Sequence, residues 1–373
     1  MGPLQGIKVI EIAGIGPGPF CGMLLSDMGA EVIRIDRPGG AGFGIGVPRK
    51  FNLMNRGRVS ITVDLKSEAG TDLVLRLCTN ADAIFEGNRP GVMEKLGLGP
   101  DECMAANPRL VYGRMTGWGQ DGPLASAAGH DGNYAAITGA LGAIGQKDGP
   151  PGIPLNLVAD FGGGGIYLAM GMLAALIEAQ RSGKGQVVDA AMVDGAASLM
   201  TLFYGLHAAG MWKDERGSNF LDGAAPFYRS YKTSDDKYVI VCALEPRFFA
   251  ILLQTLQTKE IDPAEQFDET KWRSHIAVFD NIFATKTRAE WTEVFAGTDA
   301  CFAPVLSLTE APEHPHIQAR QTFVEIDGIK QPAPAPRFSR TPSEIQGGAG
   351  EAEVDIRRVL SGWGLNVADI DYK

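Results

Sequence analysis

Short β-branched runs alternate with helical segments over the first 116 residues, and this alternation restricts the fold more than any other feature of the chain. Residues 7–12 (IKVIEI) and 31–35 (EVIRI) read as buried strands, and 60–64, 83–85 and 110–115 supply three more. Helical segments fall between them: 20–28 closed by Gly29, 67–78 capped by Ser67, and shorter ones at 90–96 and 101–106. Strands separated by helices cannot close as hairpins. They pair in parallel, with the crossover helices covering both faces of the sheet.

The middle of the chain changes character. A helix is expected over 131–143, and a Pro-rich connector follows at 149–156. The clearest helix runs over 161–181, with Asp160 at its N-cap and Gly183 near its end. Residues 187–190 read as a strand and 192–211 as a second long apolar helix. Beyond it, 227–232 and 237–243 flank Ser234-Asp235-Asp236 as a hairpin. Helices at 246–258 and 271–284, a capping box at Thr287–Glu290 and a strand at 301–306 make 225–305 a separate α+β domain. A connector at 306–322, a strand at 323–326, an extended 331–342 and a helix at 353–363 complete the reading.

Composition excludes several classes. The five cysteines (21, 78, 103, 242, 301) form no C-x-x-C pair, which argues against a disulfide scaffold or thiolate zinc site and fits a reducing cytosol. Five histidines lack H-x-x-x-H spacing, so no metal is expected. A net charge of −10 without a basic stripe speaks against nucleic acid, and an anionic ligand would need a local basic pocket. No uninterrupted apolar run reaches about 18 residues, so no membrane span is expected. The start MGPLQGIKVI lacks the pattern of a secretory signal and the terminal DYK that of a peroxisomal address, so a cytoplasmic location is expected.

Gly14-x-Gly16 followed by a helix and Asp36 imitates a dinucleotide fingerprint. The third glycine, which lets helix and strand approach, is replaced by Pro19, and the segment is better read as a glycine-rich turn. Two other segments carry chemistry. Gly129-His130-Asp131-Gly132-Asn133-Tyr134 places a histidine at a loop-to-helix junction, where ligands collect at the mouth of such sheets. Asn156-Leu157-Val158-Ala159-Asp160 runs into four glycines, each costing about 0.8–1 kcal/mol in a helix, which implies a close approach to the backbone. Bare N–H groups there would form an oxyanion site. An imidazole near pKa 6.5 and a carboxyl near 3.9 can both accept a proton at about neutral pH. Two such bases on opposite faces of one carbon, with donors for an enolate, perform 1,1-proton transfer. No G-x-S-x-G elbow supports a serine hydrolase. Glu245 ends an otherwise apolar strand, and its commoner reading is a surface carboxylate.

These residues resemble the class III CoA-transferase superfamily and, within it, the α-methylacyl-CoA racemases. The resemblance spans nearly the whole chain and rests on AEVIRIDRP, VDLKS, EGNRPGVMEKLGLGP, RMTGWGQDGP, GHDGNY, PLNLVADFGGGG, SGKGQVVDAAMVDG and DACFAPVL. It implies a large Rossmann-like parallel-sheet domain from 1–190 and 323–373, a linker helix at 191–224 and the smaller α+β domain. Two chains would interlock as a homodimer. The substrate would be a 2-methyl-branched acyl-CoA, with coenzyme A part of the substrate and no separate cofactor. His130 and Asp160 match the two bases, and Asn156 and Glu245 the residues that support them, Glu245 orienting the histidine. CoA would fall on Arg37, on Val63, Asp64, Leu65 and Lys66, on Gly87, Asn88 and Arg89, and on Lys95. Met115, Gly129, Asp131, Gly132, Asn133 and Tyr134 would line the substrate. Asn88 stands where an aromatic residue is common, and Lys95 where an arginine is. A CoA-transferase with Asp160 as nucleophile is the alternative within the superfamily; a catalytically silent acyl-CoA-binding protein lies outside it.

Overall fold

The computed structural model describes residues 2–39, 47–349 and 356–365. These divide into two compact units. The first comprises 1–138, 155–200 and 320–373, and the second 139–154 and 201–319. The segment 139–154 thus joins the second unit, and the division falls at residue 200 instead of within a linker helix.

The first unit is built on six parallel strands: β1 (Lys8–Ile12), β2 (Glu31–Asp36), β3 (Val59–Thr62), β4 (Ala83–Glu86), β5 (Val111–Thr116) and β6 (Val187–Ala191). Their order is β3-β2-β1-β4-β5-β6. The direction of winding reverses between β1 and β4, which leaves a crevice beyond their carboxyl ends. Because side chains alternate, the strands feed two cores. Val9, Ala83, Phe85 and Val111 pack with α1 (Pro17–Asp27) and α4 (Ile166–Ser182) on one face. Ile10, Ile33, Ile84 and Tyr112 pack with α2 (Glu68–Asn80) on the other. Leu360 and Trp363, near the far end of the chain, join that second core. Described residues from early and late in the chain thus share this core.

Four expected boundaries move. Helix α1 starts at Pro17, not residue 20, because a first turn needs no N–H groups and proline's fixed φ suits it. The helix expected over 131–143 is two: α3 (Asp131–Ile137) stops before Gly139, which turns left-handed at φ 79° ahead of Ala140–Ala143. The helix of 192–211 likewise divides into α5 (Met192–Leu199) and Thr201–Ala208. The largest correction concerns Asp160. It is not an N-cap: the chain is helical from Leu157, first as a π-helical stretch Leu157–Gly165, then as α4.

That stretch explains the glycines. A Cβ on Gly163 would lie 2.5 Å from the Ala196 nitrogen of α5, and one on Gly164 2.9 Å from Met192 Cγ. One on Gly165 would meet Phe20 of α1 at 2.8 Å. The close approach is by neighbouring helices, not by a ligand. Gly163→Ala is therefore expected to cost about 1–3 kcal/mol by overpacking, read from the urea midpoint. An unchanged midpoint would show that α5 shifts freely.

The continuous helical run Leu157–Ser182 is long and apolar enough to cross a bilayer, contrary to the reading by uninterrupted runs. Its Leu168, Met172, Leu176 and Ala179 are spent on the sheet core.

The second unit holds the antiparallel sheet β7 (Tyr228–Lys232), β8 (Tyr238–Cys242) and β9 (Phe302–Pro304). Helices α6 (Pro246–Thr255), α7 (Trp272–Phe283) and α8 (Arg288–Val294) cover it. Its core is aromatic, including Phe227, Tyr231, Phe249, Phe279, Phe283 and Trp291. The Thr287–Glu290 capping box forms, with the Thr287 N–H donating to Glu290 Oε2 at 2.7 Å.

Candidate active site

A cleft of about 390 Å³ opens at the β1/β4 switch point, a size suited to part of a small-molecule ligand. Its walls include residues 14–18 after β1, 87–90 after β4 and 115–118 at the end of β5. His130, Tyr134 and Asp160 complete it.

His130 is the N-cap of α3, with extended backbone. Its N–H donates to Asn133 Oδ1 at 3.0 Å, and its carbonyl accepts from the Asn133 N–H at 2.8 Å. The imidazole is thus carried on a braced turn, exposed to the cleft. Asp160 sits one turn into the π-helical stretch, half-buried. Asn156, the N-cap of that stretch, donates its amide to Asp160 Oδ2 at 3.2 Å. Burial pushes the Asp160 carboxyl above the usual range, and the Asn156 hydrogen bond resists. The charge of Asp131 pushes further up, while His130 opposes. A raised carboxylate is a stronger base, as proton abstraction from carbon requires. Gly16 must be glycine here: its φ is 65°, and a Cβ would stand 3.0 Å from Asp160 Oδ2.

Tyr134 is held edge-on to Trp118, with ring centroids 4.7 Å apart. Gly117 and Gly129 leave room for its ring; a Cβ on either would sit 2.2 or 2.7 Å from it. Burial, then the charge of Asp160, pushes the Tyr134 phenol up to about 12, so it stays an O–H donor.

Of the expected ligand residues, Gly87, Asn88, Arg89, Met115, Gly129 and Tyr134 line this cleft with His130 and Asp160. Gly132 and Asn133 belong to the first turn of α3. Asp131 does not line the cleft: it is buried, and its carboxylate turns to the backbone of Ala159 and Asp160. This also corrects the expected oxyanion site, because the N–H groups of Ala159 and Asp160 are already taken. Leu65, Lys66 and Lys95 line a separate groove of about 540 Å³ beside the start of α2, with Glu68 and Asp72. Asp64 Oδ1 accepts from the Lys66 N–H at 3.0 Å, bracing that turn. Val63 is buried and its N–H donates to the Asp36 carbonyl at 2.8 Å, adjacent to exposed Arg37 at the end of β2. Asp36 accepts from Arg34 Nε at 3.0 Å, so the ribose-binding carboxylate of the false fingerprint is engaged in an ion pair. Glu245 stands at the N-cap position of α6 in the second unit, without a side-chain cap bond, and is not among the residues lining the cleft. Its charge raises the neighbouring Cys301 thiol, after burial has done most of that.

Sequence reasoning passed over Glu86. It is buried at the end of β4, and its Oε2 accepts from the Asn88 N–H at 2.6 Å, fixing the 87–89 wall of the cleft. Arg114 stands 3.4 Å away. Burial still pushes the Glu86 carboxyl up to about 7. A raised folded-state pKa favours the fold below the ordinary value near 4.5, and this advantage fades as pH rises through about 7. Glu86→Gln should therefore gain in Tm relative to the parent between pH 5 and about 7.5. Parallel Tm-against-pH curves would refute the assignment.

A Rossmann-ordered sheet whose switch-point cleft presents an imidazole and a raised carboxylate defines an α/β enzyme of acid–base chemistry. The chain belongs to CoA-transferase family III, whose model matches residues 4–352. It is 44% identical to an alpha-methylacyl-CoA racemase of Mus musculus over 95% of this chain and 92% of the mouse protein. It is 43% identical to the Homo sapiens protein of that name over 91% of this chain and 87% of the human one. A crystal structure of a CAIB/BAIF family protein from Brucella suis superposes with a TM-score of 0.83 at 27% identity, covering 97% of this chain and 99% of that one.

Proposed function

We propose that this enzyme interconverts R and S 2-methyl-branched acyl-CoA thioesters. The observation that carries the reading is the pair of unlike bases, His130 and Asp160, on one cleft at the switch point. The identity to racemases of mouse and man supports the substrate class. One base removes the α-proton, the electron pair passes into the thioester as an enolate, and the other base returns a proton on the opposite face. Which base acts first depends on the enantiomer bound. The enolate needs donors. Gly18 lies between Pro17 and Pro19 and brings the one N–H among the first three positions of α1, at a helix end that favours negative charge. Tyr134 supplies an O–H. Asn156 supports Asp160.

Arg89 on the cleft, with Arg37, Lys66 and Lys95 farther along the same sheet edge, supplies the local basic surface that an anionic CoA requires in a chain of net charge −10. Residues 63–65 and 87–88 bring the backbone that flanks it. A second copy of the chain would cover Ile166, Met170 and Ile177, which stand exposed along α4. The family also includes transferases, in which Asp160 would be a nucleophile; the family match itself keeps that reading open as the second.

The test is α-proton exchange. Pure (R)- and (S)-2-methylacyl-CoA are incubated with enzyme in deuterated water without acceptor acid, and mass and chirality are followed together. Deuterium gain with convergence from both sides is expected. No exchange, with CoA transfer once a free acid is added, would hand the site to the transferase.

A further inference from the structure

Asp131 is the first residue of α3, directly after His130, and only 4% exposed. Its Oδ2 accepts from the Ala159 N–H at 2.7 Å and from the Asp160 N–H at 2.8 Å. Its Oδ1 is also sealed from solvent and meets no hydrogen-bond partner among the described residues. A buried carboxylate is costly unless bonded, so two short N–H contacts to one oxygen form a specific clamp.

The clamp has a local cause. A π-helical start bonds each N–H to the carbonyl five residues earlier, so the N–H groups from Asn156 to Asp160 lack partners within it. Ordinarily the N-cap side chain satisfies one of them. Here the N-cap is Asn156, whose side chain makes no cap bond and instead turns its NH₂ to the Asp160 carboxylate. Capping is delegated to a residue 28 positions earlier in the chain. We propose that Asp131 is a positioning residue that sets the separation of the two bases, its backbone continuing from His130 while its carboxylate grips the backbone of Asp160. The inference rests on the two-base reading above and adds to it the part that joins the bases. A cap that merely stabilised the fold could come from anywhere. This one ties the two residues whose spacing must match a single carbon.

Two variants separate geometry from charge. Asp131→Ala removes the acceptor, and Asp131→Asn keeps a carbonyl oxygen for both N–H groups without the charge. Three readouts are taken: kcat and KM for α-proton exchange from each enantiomer, thermal melting, and amide hydrogen exchange at Ala159 and Asp160. The Ala variant should lose about 100-fold in kcat from both enantiomers, the scale of a displacement near 1 Å, with KM within about threefold. The Asn variant should recover to within about fivefold, because the clamp persists. Amide exchange at the two positions should accelerate in Ala and stay slow in Asn.

A folded Ala variant with kcat within about threefold of the parent overturns the proposal, as does a KM rise at constant kcat. If the Ala variant does not fold, Asn decides: near-parental activity upholds the strut, and a hundredfold loss overturns it by making the charge itself essential. If the parent enzyme exchanges no substrate proton, the racemase reading fails separately. The amide exchange of the variants still decides the clamp.

Discussion

Asp160→Asn is expected to lower racemisation, and α-proton exchange from the enantiomer whose proton faces Asp160, by about 10³-fold or more while leaving acyl-CoA binding within a few-fold. The amide has the size of the carboxyl, and its carbonyl can still accept from Asn156, as Oδ2 does at 3.2 Å. What it cannot do is accept a proton from carbon. Binding should survive because the basic residues proposed for CoA lie on other loops. The fold should survive too. Asp160 lies inside the helical stretch, not at its cap, and the N–H groups of that stretch are held by Asp131. Melting adds a check with a defined sign. Burial raises the Asp160 carboxyl, so its ionisation opposes folding as pH rises through the folded-state value. The Asn variant should therefore gain in Tm relative to the parent as pH rises from 4 toward neutrality, a span that begins about where an ordinary carboxyl titrates. Loss of binding together with loss of stability would instead make Asp160 a structural residue.

The inner strands of the parallel sheet were legible because they are buried on both faces and rich in β-branched apolar residues, as in IKVIEI and EVIRI. Ile10 and Val9 serve different cores, yet both are apolar, and no alternation was needed to find β1. The strand order was not legible. It depends on pairing partners far apart in sequence, and Val9 beside Ala83 leaves no local trace. Helix ends failed where proline or glycine carried two meanings. Pro17 and Pro19 read as breakers but begin α1. The glycines after Asp160 read as room for a ligand, and they are room for Ala196, Met192 and Phe20. A π-helical turn has no sequence period of its own, so the start at Leu157 was hidden behind a plausible cap at Asp160.

Within the site, the residues that face solvent or ligand were easier to find than those that hold them. His130 stood out at a chain reversal, and Asp160 by its glycines, even though the glycines serve packing. Asp131 acts through backbone N–H groups of another segment and Glu86 through one two residues on, and an acidic residue in a first turn or at a strand end looks ordinary from sequence. Their burial is what marks them, and burial is a property of the assembled fold.

His130→Ala should divide two measurements that move together in the parent. Racemisation requires a proton to leave by one face and return by the other, so losing either base should suppress it from both enantiomers by about 10³-fold. Exchange of the α-proton with solvent needs only one base. The enantiomer whose proton faces Asp160 can still be deprotonated and reprotonated on the same side, gaining deuterium while keeping its configuration. The enantiomer facing position 130 should gain almost none. His130 is exposed to the cleft on the braced turn that Asn133 holds, so truncation removes the imidazole without unseating the turn. The space vacated should also admit free imidazole and restore part of the lost exchange, on that face alone. Equal loss of exchange from both enantiomers would remove the face-specific roles and point to a single base serving both sides. One-sided exchange with retention would identify, from the configuration of the labelled product, which face each residue serves.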